Sequence, residues 1–203
     1  MKHVRVKFCG ITRVEDALFA ASLGVSAIGL VFVENSPRCV STKRAAEICR
    51  ALPPLVATVG LFMDAPAEYV RSVASKVPLN WLQFHGAESP EYCRAFERAY
   101  IKALPMSSPG DVQYDSWSEA PVLLLDAHAA GGMGGSGETF DWENALLPAN
   151  PWILAGGLRV DNIGSALEVM APAAVDVSSG IEHAPGLKDA TLMRQFMEKI
   201  HNG

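Results

Sequence analysis

VRVKFCGIT (residues 4–12) reads as a short strand that runs into a glycine and then towards a helix start. Side chains alternate along a strand. Val4, Val6 and Phe8 therefore share one face, and Arg5, Lys7 and Cys9 share the other. The same split recurs further on. Leu82 and Phe84 oppose Trp81, Gln83 and His85, and Val175 and Val177 oppose Asp176 and Ser178. Central strands of an open, doubly wound sheet are usually apolar on both faces. One apolar face, and one that carries polar groups towards its C-terminal end, fits a closed barrel instead. Its outside would meet helices and its inside would open into a site.

The rest of the chain agrees with this unit. Apolar runs at 4–8, 27–33, 57–63, 80–85, 100–104, 122–126, 152–155 and 175–178 read as buried strands. Segments of helical period separate most of them. Thr12 before Arg13-Val14-Glu15 has the form of a capping box. Ser41 stands ahead of a second helical segment. Asp64 before Ala65-Pro66 and Ser89 before Pro90-Glu91 place proline near a first turn, where its missing N–H costs nothing. Helical segments follow at 160–170 and 188–201. Connections 106–120 and 127–151 are rich in Gly, Pro, Ser and Asp and predict a turn or two of helix at most. The expected architecture is a single α/β domain over 1–203, a compact (β/α)8 TIM barrel of eight parallel strands.

Composition narrows the function classes. The chain of 203 residues carries a formal net charge of −5 and no basic run, so nucleic acid and anionic membrane are not expected partners. No apolar stretch approaches the roughly 18 residues of a membrane span. The N-terminus enters a strand pattern without a signal-peptide core, so a cytoplasmic protein is expected. Cys9, Cys39, Cys49 and Cys93 form no C-x-x-C pair, so neither a disulfide scaffold nor a metal site is expected. Cys49 and Cys93 sit in apolar-periodic segments and read as small helix-face fillers.

Barrels of this kind keep their chemistry at the C-terminal strand ends. Those ends carry Cys9, His85, Asp126, Gly156, Gly157, Ser178, Ser179 and Gly180, and the loop after the second strand adds Arg38. The runs LAGGL (154–158) and DVSSGI (176–181) lie after the last two strands. Exposed backbone N–H groups and hydroxyls there suit a phosphate, although each run alone is also an ordinary tight turn. The glycine-rich run from Gly131 to Trp142 reads as a lid or anion-contacting loop, or as a linker. Asp126 ends an apolar run and must be solvated, paired, a helix cap or a general acid. Arg38 is either a carboxylate clamp or a surface arginine. His85 is either a hydrogen-bonding site group or a core histidine, and His128 is a weaker candidate. Cys9 lies beside Lys7 and near a helix start, conditions that lower a thiol pKa. It can serve as nucleophile or base.

KFCGIT (7–12), SPR (36–38), QFHG (83–86), LLD (124–126), GGSGETFDW (134–142), LAGGL (154–158) and VDVSSGIE (175–182) together resemble the phosphoribosylanthranilate isomerase family of tryptophan biosynthesis. The motifs run in order from first strand to last. The resemblance implies an Amadori rearrangement of N-(5-phosphoribosyl)anthranilate to 1-(2-carboxyphenylamino)-1-deoxyribulose 5-phosphate, with no metal and no cofactor. Asp126 is then implied as general acid and Cys9 as general base. Arg38 would pair with the anthranilate carboxylate. Gly156, Gly157, Ser178 and Ser179 would hold the phosphate, with Asp176 and Gly180 shaping that loop. Gln83 and His85 would line the pocket. A phosphorylated small molecule is the implied partner, and the chain is expected as monomer or homodimer. Departures from the pattern are an extra Gly-Gly-Met at 131–133, Ser136 for the more frequent Thr, and Phe8 and Phe84 where aliphatics are commoner. The nearest alternatives are another phosphosugar barrel, such as a ProFAR-type isomerase or an indole-glycerol phosphate synthase, and a non-catalytic phosphosugar binder. The first of these would use two carboxylates and the second a Lys and Glu pair.

Overall fold

The computed structural model describes residues 4–106, 114–126 and 146–202. Eight strands follow the apolar runs closely: β1 Arg5–Phe8, β2 Ala27–Val31, β3 Ala57–Phe62, β4 Trp81–Phe84, β5 Tyr100–Pro105, β6 Val122–Asp126, β7 Trp152–Leu154 and β8 Ala174–Val177. Each pairs in parallel with the next, and β1 pairs with β8, which closes the barrel. The closure register sets Lys7 opposite Asp176, so the first and last strands place a cation and a carboxylate at one level.

The alternation read from the sequence holds around the ring. Phe8, Leu82, Phe84, Leu123, Leu125 and Val175 join the large core between sheet and helices. Val59, Ile101, Ala103, Leu124, Ile153 and Ala155 form a second, smaller cluster on the opposite, inward face. Phe84 is a hub of the outer layer, with the rings of Tyr92 and Phe96 at 5.6 and 5.4 Å. Phe8 meets Phe196 edge-on at 6.2 Å. Both phenylalanines thus pack against other rings rather than facing the site.

The helices are α1 Val14–Ser22, α2 Thr42–Ala51, α3 Ala67–Lys76, α4 Pro90–Arg94, α5 Ile163–Met170 and α6 Ala190–Asn202. Two of the expected caps form: Ser41 accepts from the Arg44 N–H, and Ser89 accepts from the Tyr92 N–H with Pro90 in the first turn. Two do not. Arg13 is the cap residue of α1, and the Thr12 hydroxyl donates instead to the Gly186 carbonyl. Pro66 itself occupies the cap of α3, while Asp64, in a left-handed conformation, accepts from the Ala87 N–H. In both places a long-range partner outbids the local one. Among the described residues of connection 106–120 there is a short 3-10 turn, Tyr114–Trp117. The glycine-rich run and His128 lie outside the described residues. After β8 a small antiparallel hairpin, β9 Glu182–Ala184 and β10 Leu187–Lys188, precedes α6. No helix is long and apolar enough to cross a membrane among the described residues.

Candidate active site

The C-terminal ends of the strands surround a cavity of about 420 Å3. Cys9, Gln83, His85, Asp126 and Asp176 reach it from the inward faces of β1, β4, β6 and β8 or the residues just beyond them. Arg38, Gly156, Gly157, Ser178 and Ser179 line it from the loops. Gly180 does not line it. A Cβ at Gly180 would strike the Leu158 carbonyl, so glycine here lets the loops after β7 and β8 pack together.

Asp126 is buried, and its Oδ2 lies 3.1 Å from His85 Nε2. The other ring nitrogen, Nδ1, lies 3.1 Å from Gln83 Nε2. An amide N–H donated to Nδ1 assigns the ring proton to Nε2, which then donates to Asp126. Of the readings open to Asp126 in the sequence, the contacts make it a paired carboxyl, facing His85. Gln83 Oε1 and Asp176 Oδ1 are buried acceptors with no hydrogen-bond partner among the described residues.

Cys9 is buried as well. Gly29 on the neighbouring strand makes the space, since a Cβ there would sit 2.6 Å from Cys9 Sγ and 3.1 Å from Lys7 Nζ. Lys7 donates to Asp176 Oδ2 at 2.7 Å. The lowered thiol pKa expected from the sequence does not follow. Burial pushes Cys9 above the ordinary thiol value, Lys7 pulls it down only in part, and Asp176 adds to the rise. Helix α1 begins only at Val14, beyond the reach of a first-turn dipole. Burial opposes the charged form of Lys7 too, but Asp176 and Cys9 more than restore it, and its pKa is raised. Cys93 and Cys49 fit their filler role: burial pushes them up to about 12 and about 11.

Arg38 is not a surface group. It is buried, and its Nε and a terminal NH2 donate to Glu182 Oε1 and Oε2 at 3.0 and 2.7 Å. Lys188 Nζ approaches the same carboxylate at 2.7 Å and also donates to the Ser178 carbonyl at 3.0 Å. Burial alone would raise the pKa of Glu182, but Arg38 and Lys188 hold it below the usual carboxylate value. Glu182 and Lys188 had no role in the sequence reading. The run EHAPGLK (182–188), with Pro-Gly at its centre, carried a turn signal that pairs them across a hairpin.

The phosphate candidates lie side by side. Gly156 and Gly157 have φ of +84° and +61°, conformations that glycine adopts without strain. The Asn162 side chain fastens this turn by donating to the Gly157 carbonyl at 2.9 Å and accepting from the Arg159 N–H at 2.8 Å. Ser178 Oγ donates to the Cys9 carbonyl at 3.1 Å, which joins the β8 loop to the end of β1. No three His, Cys, Asp or Glu side chains among the described residues are grouped to hold a metal ion.

The family model described as N-(5'-phosphoribosyl)anthranilate (PRA) isomerase matches residues 6–199. An N-(5'-phosphoribosyl)anthranilate isomerase of Stutzerimonas stutzeri is 48% identical over 207 aligned positions, covering 100% of this chain and 99% of that protein. Phosphoribosyl anthranilate isomerase from Thermotoga maritima superposes with a TM-score of 0.90 at 42% identity, over 98% of this chain and 100% of the other. A further isomerase structure, in complex with reduced 1-(o-carboxyphenylamino)-1-deoxyribulose 5-phosphate, gives a TM-score of 0.84 at 37% identity, over 98% and 100% of the two chains.

Proposed function

This chain belongs to the N-(5'-phosphoribosyl)anthranilate isomerase family, and from that premise we propose that Asp126 and Cys9 carry its reaction as general acid and general base. The reaction is the isomerisation of phosphoribosylanthranilate in tryptophan biosynthesis. One observation carries the residue assignment. An acid, a thiol, an arginine and two glycine- and serine-bearing loops converge on a single cavity at the C-terminal barrel mouth.

Asp126 enters protonated and passes its proton to the furanose ring oxygen. The C1'–O bond breaks as the anilino nitrogen forms a double bond to C1'. The resulting iminium acidifies the C2' hydrogen. The Cys9 thiolate removes that proton, and the C–H electron pair forms the enolamine. Loss of the O2' proton and protonation at C1' then give the ketone, with atoms and charge balanced. The His85 contact orients Asp126. A buried thiol of raised pKa is scarcer as thiolate but a stronger base once ionised. Lys7 stabilises that anion. Arg38 takes the anthranilate carboxylate, and the loops at Gly156, Gly157, Ser178 and Ser179 take the phosphate, with Asp176 and Gly180 fixing their surroundings. The buried acceptors on Gln83 and Asp176 suit sugar hydroxyls, since an unmet buried acceptor costs about 1–3 kcal/mol.

The test follows the loss of phosphoribosylanthranilate fluorescence. Cys9→Ser and Asp126→Asn are each expected to lower kcat by roughly 10²–10⁴-fold, while a phosphate-bearing product analogue still binds. Near-normal kcat in either variant refutes the role given to that residue.

A further inference from the structure

Arg38, which lines the cavity, forms a buried ionic triad with Glu182 and Lys188, which do not line it. The geometry divides the labour within it. Two parallel N–H···O bonds from a guanidinium to one carboxylate fix the plane and direction of Arg38. The same contact cancels the arginine charge at close range. Lys188 sits on the opposite strand of the β9–β10 hairpin, in register with Glu182. Its side chain has no exposed surface, so it cannot touch a ligand. With two cations around one carboxylate, the triad keeps one net positive charge.

We propose that Glu182 and Lys188 are positioning residues that aim Arg38 and offset its neutralisation, and that they thereby set selectivity for a substrate bearing an aryl carboxylate. The inference rests on the reading of Arg38 as the carboxylate clamp. Two further contacts tie the triad to the rest of the site. Lys188 also holds the Ser178 carbonyl, and Ser178 Oγ bonds the Cys9 carbonyl. Gly10 lets Arg38 lie across the end of β1, because a Cβ there would meet Arg38 Cδ at 2.5 Å and Ser178 Oγ at 3.0 Å.

The test measures binding of two inert ligands by calorimetry at pH 7: reduced 1-(2-carboxyphenylamino)-1-deoxyribulose 5-phosphate and its phenylamino counterpart without the carboxylate. Lys188→Met is expected to weaken the carboxylated ligand about tenfold and the other by no more than about twofold. Turnover of phosphoribosylanthranilate should then lose more in kcat/KM than in kcat. The double variant Glu182→Gln/Lys188→Met removes both charges and leaves the net charge unchanged. It also takes the bidentate acceptor from Arg38, so it should lose the carboxylate preference at least as far as Lys188→Met does, and it serves also where the single variant fails to fold. Equal weakening of both ligands by Lys188→Met overturns the inference, as does a double variant that keeps the wild-type preference. Arg38→Met separates the two levels. If it abolishes the preference while Lys188→Met spares it, the inference fails alone. If wild type shows no preference for the carboxylated ligand, or Arg38→Met keeps that preference, the clamp reading falls and the inference with it.

Discussion

Cys9 illustrates how one residue depends on neighbours that its own stretch of sequence does not reveal. Lys7, two positions away on the inward face, was legible from strand alternation. Asp176 and Gly29 were not, because they arrive from β8 and β2. Burial dominates, so the thiol is harder to ionise than a free cysteine, and the Lys7 ammonium limits that rise. The sign of a substitution follows. Removing the cation removes a group that favours the thiolate, so the pKa of Cys9 must climb. Lys7→Met is therefore expected to move the alkylation of Cys9 by iodoacetamide to higher pH, read by peptide mass spectrometry across a pH series. It should shift the acid limb of kcat/KM in the same direction. An alkylation profile unchanged from wild type would show that Lys7 does not govern the thiol. Arg38 makes the same point in another form. A lone arginine after Ser-Pro is undecided in sequence, and only its buried bidentate contact with Glu182 removes it from the surface.

Among the elements, β4 and the loop after it show what holds a site residue in place. Gln83 and His85 face inward, while Leu82 and Phe84 enter the outer core. The loop is secured from β5: Lys102 Nζ donates to the Phe84 and Gly86 carbonyls and pairs with Glu88 at 3.0 Å, with both side chains buried. Glu88 in turn accepts from the Asp64 and Gly86 N–H groups at 2.8 and 2.9 Å. Removing one partner strands a charge in the core. Lys102→Met is expected to cost about 3–5 kcal/mol in urea unfolding, and Glu88→Gln/Lys102→Met to recover much of that loss. Equal stability of the single variant and wild type would contradict a paired buried charge. The loops after β7 and β8 supply a second case. Gly180→Ala should force them apart at Leu158, cost roughly 1–3 kcal/mol, and weaken inorganic phosphate as a competitive inhibitor. At this scale Ser41 and Ser89 were readable as caps because their partners lie three residues on. Thr12 and Asp64 misled because their partners lie at Gly186 and Ala87.

Across the whole molecule, the last elements of the chain are fastened to the first. β8 closes on β1, and the β9–β10 hairpin is tied to α1, where Asp16 bonds Arg13 and accepts from the Lys188 N–H at 3.4 Å. Glu182 adds a pH dependence to that closure. Its folded pKa lies below the ordinary glutamate value because Arg38 and Lys188 face it. The ionised form therefore favours the fold. That contribution is complete above about pH 4.5 and fades as pH falls through the folded value. Urea midpoints from pH 7 to pH 3 should fall, and more shallowly for Glu182→Gln/Lys188→Met than for wild type; identical slopes would remove Glu182 from the cause. The sequence by itself determined the barrel, because eight apolar runs separated by helical segments, with one apolar and one polar face in the first, fourth and eighth, leave one face for helices and one for a site. It also determined the strand ends where Cys9, Asp126 and His85 stand, and its ordered motifs pointed to the family. Only the tertiary structure decided which groups face those residues: Asp176 at Lys7, Glu182 and Lys188 at Arg38, Gln83 through His85 at Asp126. Periodicity is a local property of the backbone. Charge pairing and desolvation arise only when strands distant in sequence are brought within hydrogen-bonding distance and water is excluded between them.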